Sequence, residues 1–153
     1  AEEEFFNEHP QVALCNNVTY KIITLDNKEF QLKACMASAE AALNSASRIT
    51  IKGYKNMFAV GDLTNDGHSD GAIILSVNAG GSGSFRELAI VKNSAGALRH
   101  ITSVSLGDRV EINSIMIEEG RIILDMIVHG PNDGLCCPSV SNYKSSTSLA
   151  LPS

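Results

Sequence analysis

Short apolar runs, many alternating with polar residues, cover most of the chain between Gly, Asn and Asp. Val18, Tyr20, Ile22 and Ile23 approach a turn at Asp26-Asn27, and Phe30 and Leu32 lead away from it. Residues 18–34 therefore predict a hairpin. Ile49, Ile51 and Tyr54 predict a strand, Met57 to Val60 a short one, and Ala72 to Val77 another. A Gly/Ser loop (Ala79 to Ser84) leads into a strand from Phe85 to Val91, with Leu88 and Ile90 on one face. A turn around Ala95-Gly96 returns the chain to Ile101, Val104 and Leu106, and Gly107-Asp108 turns it again. Val110 to Ile117 and Arg121 to Val128 pair across Glu118-Glu119-Gly120. The expected fold is mainly β, an antiparallel meander sheet with one short helix, bordering on α+β.

That helix is expected at Met36 to Ala46, which is rich in alanine and free of Gly and Pro. Residues 1–16 are expected to be an irregular, initially acidic segment, because Pro10 breaks any helix begun by Glu2 to Glu8. Residues 141–153 form a Ser-rich tail, expected to be poorly ordered at its end. The whole of 1–153 reads as a single domain, with no second domain and no tandem repeat.

Composition narrows the class. Apolar residues make up 44% and charged residues 19% of 153, the balance of a globular protein. The net charge is −5 without a block of Lys or Arg, which argues against nucleic-acid binding and against an anionic membrane patch. No apolar run approaches the roughly 18 residues needed to span a bilayer. The opening Ala1-Glu2-Glu3-Glu4-Phe5-Phe6 looks like a mature terminus left after signal cleavage.

The sharpest chemistry lies in Gly61-Asp62-Leu63-Thr64-Asn65-Asp66-Gly67-His68-Ser69-Asp70-Gly71. Asp62, Thr64, Asp66 and Asp70 place side-chain oxygens at relative positions 1, 3, 5 and 9, with Gly67 at position 6, where a calcium loop bends. The backbone carbonyl of His68 falls at position 7. Calcium, a hard cation taking six to eight oxygens, suits such a loop and is the expected cofactor. Position 12 is Ile73, so this is not an EF-hand. The loop resembles the strand–loop–strand calcium loops of FG-GAP repeats. A metal-free Asx-rich turn is the competing reading, since Asn65-Asp66-Gly67 is a turn signal by itself.

A wider resemblance rests on Gly61-Asp62-Leu63 to Asp70, then Gly80-Gly81-Ser82-Gly83, then Leu106-Gly107-Asp108-Arg109, then His129-Gly130-Pro131-Asn132-Asp133-Gly134-Leu135-Cys136-Cys137-Pro138. This order resembles an uncharacterised family of bacterial exported or periplasmic proteins with GDLNGDG-like, GGSG, LGDR and HGPND..CCP segments. More distantly, it is similar to Lpp/Lpr-type actinobacterial lipoproteins. The resemblance spans about residues 50–140 and departs at Thr64, Asn65 and Phe85-Arg86. It implies a periplasmic or secreted location and brings no activity with it.

The remaining motifs sort into staples and non-matches. Cys15, Cys35, Cys136 and Cys137 are an even set, as a disulfide-bearing protein of an oxidising compartment would have. Cys15 and Cys35 flank the hairpin's open end and could bond, leaving Cys136 and Cys137 to a vicinal pair; cross-pairing with Cys15 and Cys35 is the other arrangement. Cys136-Cys137 as a redox pair, or with His129 as a soft-metal site, is a further reading. His9 and His100 are expected at the surface. Gly80 to Ser84 lacks the last Gly of a nucleophile elbow and the Lys of a phosphate loop. Asp108-Arg109 is expected to fix a turn by an ion pair, and Glu118-Glu119 to be solvated.

These features together lead to a non-catalytic binding or interaction module with an envelope or extracellular partner. The alternative is a calcium-assisted hydrolase using Asp70, Asp108 or His129 as acid or base.

Overall fold

The computed structural model describes residues 2–16, 18–40, 47–81, 83–128 and 140–146, among which ten β-strands run. Two short helices come first, α1 (Glu2–Glu8) and α2 (Pro10–Asn16). The hairpin is β1 (Thr19–Ile22) and β2 (Lys28–Gln31), paired antiparallel around a 3-10 turn at Ile23–Leu25. Asp26 and Asn27 carry φ of 56° and 63°, the left-handed region that Asn and Asp tolerate best among residues with a side chain. The strands that follow are β3 (Met36–Glu40), β4 (Arg48–Gly61), β5 (Asp70–Asn78), β6 (Phe85–Ser94) and β7 (Ala97–Asp108). They form one antiparallel meander in chain order. A second sheet joins β8 (Glu111–Glu118), β9 (Arg121–Val128) and β10 (Val140–Ser146) in the order β10-β9-β8.

Two apolar cores lie on opposite faces of the five-stranded sheet. On β5, Ile73, Leu75 and Val77 enter one core with the hairpin and helices, represented by Phe6, Leu14, Tyr20, Ile22 and Leu32. Ala72 and Ile74 enter the other, with Ile112, Ile122, Leu124 and Met126 of the second sheet. A strand covered on both faces needs apolar residues at successive positions, and β5 is buried from Asp70 to Val77.

Several expectations are corrected. Residues 36–40 are strand rather than helix, and 41–46 lie outside the described residues. The alternation of β3 places Ala37 and Ala39 against the first core, opposite Ile51 and Ile49 of β4. Pairing and burial there override the helical preference of alanine. The N-terminal segment is helical rather than irregular. Pro10 does interrupt it, but as the first residue of α2, where its missing N–H costs nothing. Burial of Phe6 and Leu14 supplies what these short helices lack alone. The tail, expected to be poorly ordered only at its end, is strand from Val140 to Ser146 and gives β9 a partner on its second edge, while residues 147–153 lie outside the described residues. Ile49 to Val60 is one strand, whose register shifts between Gly53 and Phe58. The shift reverses the alternation: before it Ile49 and Ile51 face the first core and Tyr54 the second, and after it Met57 faces the second and Phe58 and Val60 the first.

Candidate functional site

The aspartate loop joins the end of β4 to the start of β5, the strand–loop–strand setting its sequence suggests. Ile73, at the position an EF-hand gives to glutamate, is buried in the first core. Asp62 closes the loop on itself. Its Oδ1 accepts the backbone N–H of Asn65 (2.7 Å), Thr64 (3.2 Å) and Asp66 (3.3 Å), and its Oδ2 that of Gly67 (2.8 Å). Gly67 has φ of 83°, so the glycine is required by the turn.

Asp70 does the opposite job and ties the loop inward. It is fully buried. Its Oδ2 accepts from the Leu63 N–H (2.9 Å), the Thr64 N–H (3.3 Å) and the Thr64 hydroxyl (3.3 Å), while Oδ1 accepts the Asn93 N–H (3.0 Å). The Asn93 amide donates to the Ser69 carbonyl (2.9 Å), and its Oδ1 accepts the Gly96 N–H (2.6 Å). The loop is thereby fastened to the β6–β7 turn. Asn93 is a member of the site that the aspartate spacing does not show. The Asn-Ser-Ala-Gly turn signal marks a turn, without marking what it ties down.

Asp66 is the exposed member. The His68 N–H (2.9 Å to Oδ1) holds its carboxyl below the ordinary carboxylate range, helped by Thr64 and by the nearby charges of His68 and Lys92. Asp62, Asp66 and Asp70 each offer an oxygen within 4.8 Å of the others'. Oxygens sharing one calcium ion at roughly 2.3–2.6 Å lie at most about 5 Å apart, so the three carboxylates fit such an ion. Thr64 turns its hydroxyl to Asp70, and His68 enters through its backbone.

The other candidate residues are dispersed. Cys15 and Cys35 are disulfide-bonded, tying α2 to the start of β3. Cys136, Cys137 and His129 lie outside the described residues. Asp108 pairs with Arg109 (3.3 Å), as expected, and accepts the Ser84 N–H (2.8 Å). It stands opposite Phe85, which stands opposite Val77, seven residues along β5 from Asp70. At about 3.3 Å per residue, the aspartate loop and Asp108 are roughly 23 Å apart along the sheet. Glu118 and Glu119 are exposed, as is His9. His100 is half-buried at the surface: its ring packs on Tyr20 and its Nδ1 accepts the Lys21 N–H (3.1 Å). Its Nε2 is then the protonated nitrogen, set toward the Thr102 carbonyl (3.0 Å) and Ser103 Oγ (2.7 Å). Burial lowers its pKa from 6.5.

Comparison of the chain with protein-family models, with curated proteins and with solved structures finds no match. No helix among the described residues is long and apolar enough to cross a membrane.

Proposed function

We propose that this protein is a non-catalytic binding or interaction module of the cell envelope, periplasmic or secreted, whose sheet is clipped at one end by calcium in the aspartate loop. The observation that carries the calcium reading is the convergence of Asp62, Asp66 and Asp70, with one oxygen of each within 4.8 Å of the others. Bound there, the ion would neutralise the three crowded carboxylates. Asp70 already connects the loop to the β6–β7 turn through Asn93, so a cation beside it would stiffen that end of the sheet. The Cys15–Cys35 bond and the resemblance to exported bacterial proteins support the location. The partner would be an envelope or extracellular molecule.

The separation of Asp108 from the loop weighs against Asp108 as the acid or base of a calcium-assisted hydrolase. The test is thermal unfolding in EDTA and in 10 mM calcium, for the native chain and for Asp66→Ala. Extracellular calcium modules bind at roughly 0.1–1 mM, so calcium at ten times Kd or more adds at least about 1.4 kcal/mol. The expected rise in Tm is about 3–6 °C or more in the native chain, and none in Asp66→Ala. Equal melting of the native chain in both buffers would leave the loop as a polar turn.

A further inference from the structure

At the far end of the sheet from the aspartate loop is a group of donors that the reading above does not use. The antiparallel register sets Lys52 of β4 opposite Ser76 of β5, and Ser76 opposite Arg86 of β6. Directly opposed residues point to one face, and neighbouring strands lie about 4.8 Å apart. Ser76 is therefore flanked by a cation on each side, in a chain whose net charge is −5. In the adjoining row, Thr50 stands opposite Asn78. Thr50, Lys52, Ser76, Asn78 and Ser84 line a cavity of about 280 Å³. None of these lining residues is acidic.

Arg86 stands behind two of these lining residues, Ser76 and Ser84. Its guanidinium lies over the Tyr54 ring, 4.4 Å from the centroid. Its Nη1 donates to Ser76 Oγ (2.9 Å), to the Ser84 carbonyl (3.3 Å) and to Ser84 Oγ. Its Nε is buried without a hydrogen-bond partner among the described residues. No carboxylate of the described residues lies within ion-pair distance of Arg86 or Lys52. A part-buried cation without a counter-charge is costly, and an anion beside it offsets that cost.

The hydroxyls carry the argument further. Ser76 and Ser84 both accept from Arg86, so each keeps its own O–H for donation. Their oxygens are 3.4 Å apart, and at most one can donate to the other. At least one O–H is left for the cavity. Asn78 uses its Oδ1 to accept the Gly80 N–H (2.9 Å), which leaves its Nδ2 as a donor. The cavity is thus walled by the Lys52 ammonium, two serine hydroxyls, a threonine hydroxyl and an amide, with the Arg86 guanidinium behind the serines. Its volume lies just below the roughly 300–1,000 Å³ of sites that take drug-sized molecules, which suits one small charged group.

We propose that this cavity is a binding site for a tetrahedral oxyanion, the phosphate or sulfate group of a small ligand or the free ion, held by Lys52, Ser76 and Ser84, with the charge of Arg86 behind the two serines. Donors converging from two strands and a loop match four oxygens spread over a tetrahedron better than the two of a carboxylate. The hydroxyls of Ser76 and Ser84, their oxygens held by Arg86, leave at least one O–H as a neutral donor, while Lys52 supplies the mobile charge at the rim.

The experiment is titration calorimetry on the native chain in EDTA, with inorganic phosphate, a sugar phosphate and acetate at matched ionic strength. Lys52→Gln, Ser84→Ala and Arg86→Gln are titrated alongside. Saturable binding of phosphate with acetate at least tenfold weaker, and a loss of tenfold or more in Lys52→Gln, is the expected result. Tighter binding of the sugar phosphate than of phosphate would assign the group to an organic ligand, and equal binding would assign the free ion. Because Lys52 is exposed, its variant keeps the fold even where Arg86→Gln does not. No saturable binding, acetate equal to phosphate, or unchanged affinity in Lys52→Gln would each overturn the proposal.

Discussion

Asp66 and Asp70 stand four residues apart in one loop and do different work. Asp70 is buried and is the acceptor for backbone N–H groups of Leu63, Thr64 and Asn93. Removing it strands buried donors, at about 1–3 kcal/mol for each. Asp70→Ala is expected to lose about 2–4 kcal/mol in urea unfolding even in EDTA, whereas Asp66→Ala in EDTA unfolds close to the native midpoint. Equal losses in the two would contradict this division of roles. His100 supplies a second residue-scale expectation. Burial disfavours its charged form, so its folded pKa is below 6.5 and the native state binds fewer protons than the unfolded chain. The contribution is complete above pH 6.5 and is lost as pH falls through the lowered folded value. Between pH 7.5 and 5, Tm of the native chain should fall more than that of His100→Gln, which cannot titrate there. Neither role is visible in sequence. A buried aspartate and an exposed one carry the same letter, and His100 gains its environment from Tyr20 and Lys21, far away along the chain.

At the scale of elements, the two sheets meet most closely where β4 passes β8. A Cβ at Gly61 would lie 2.8 Å from the Cβ of Ile117 and closer still to its Cγ2. The contact is with a β-branched side chain packed against the second core, which has little room to give. Gly61→Ala should therefore destabilise by about 1–3 kcal/mol through overpacking, measurable as a lower urea midpoint at unchanged slope. Gly67→Ala, where nothing lies within 4 Å, would be felt only through its φ of 83°. The turn elements were legible because Asn, Asp and Gly have local reasons to sit in them. Asp26-Asn27, Ala95-Gly96 and Glu119-Gly120 all turn with positive φ where the sequence marks them. The element misread as helix, Met36–Glu40, has no local marker against helix, and only its pairing to β4 makes it a strand.

For the molecule as a whole, β5 is the strand on which both cores are built. Its amides are covered on each face and bonded to β4 and β6 on each side. They should be the last to exchange with deuterated solvent, and those of α1 and of the exposed loop tip Asn65–Gly67 among the first; fast exchange at Ile73–Leu75 would refute this order. What the sequence alone determined was the mainly β class, most strand positions, the turns and the acidic loop between β4 and β5. These follow from periodicity and from residues with their own backbone preferences, which act over a few positions. The tertiary structure decided the rest. It chose which face of each strand meets which core, made β3 a strand and residues 2–16 helical, buried Asp70 while leaving Asp66 in solvent, and set Lys52, Ser76 and Arg86 in one row. Each of these depends on contacts between segments far apart in the chain, where burial and hydrogen-bond pairing outweigh local preference.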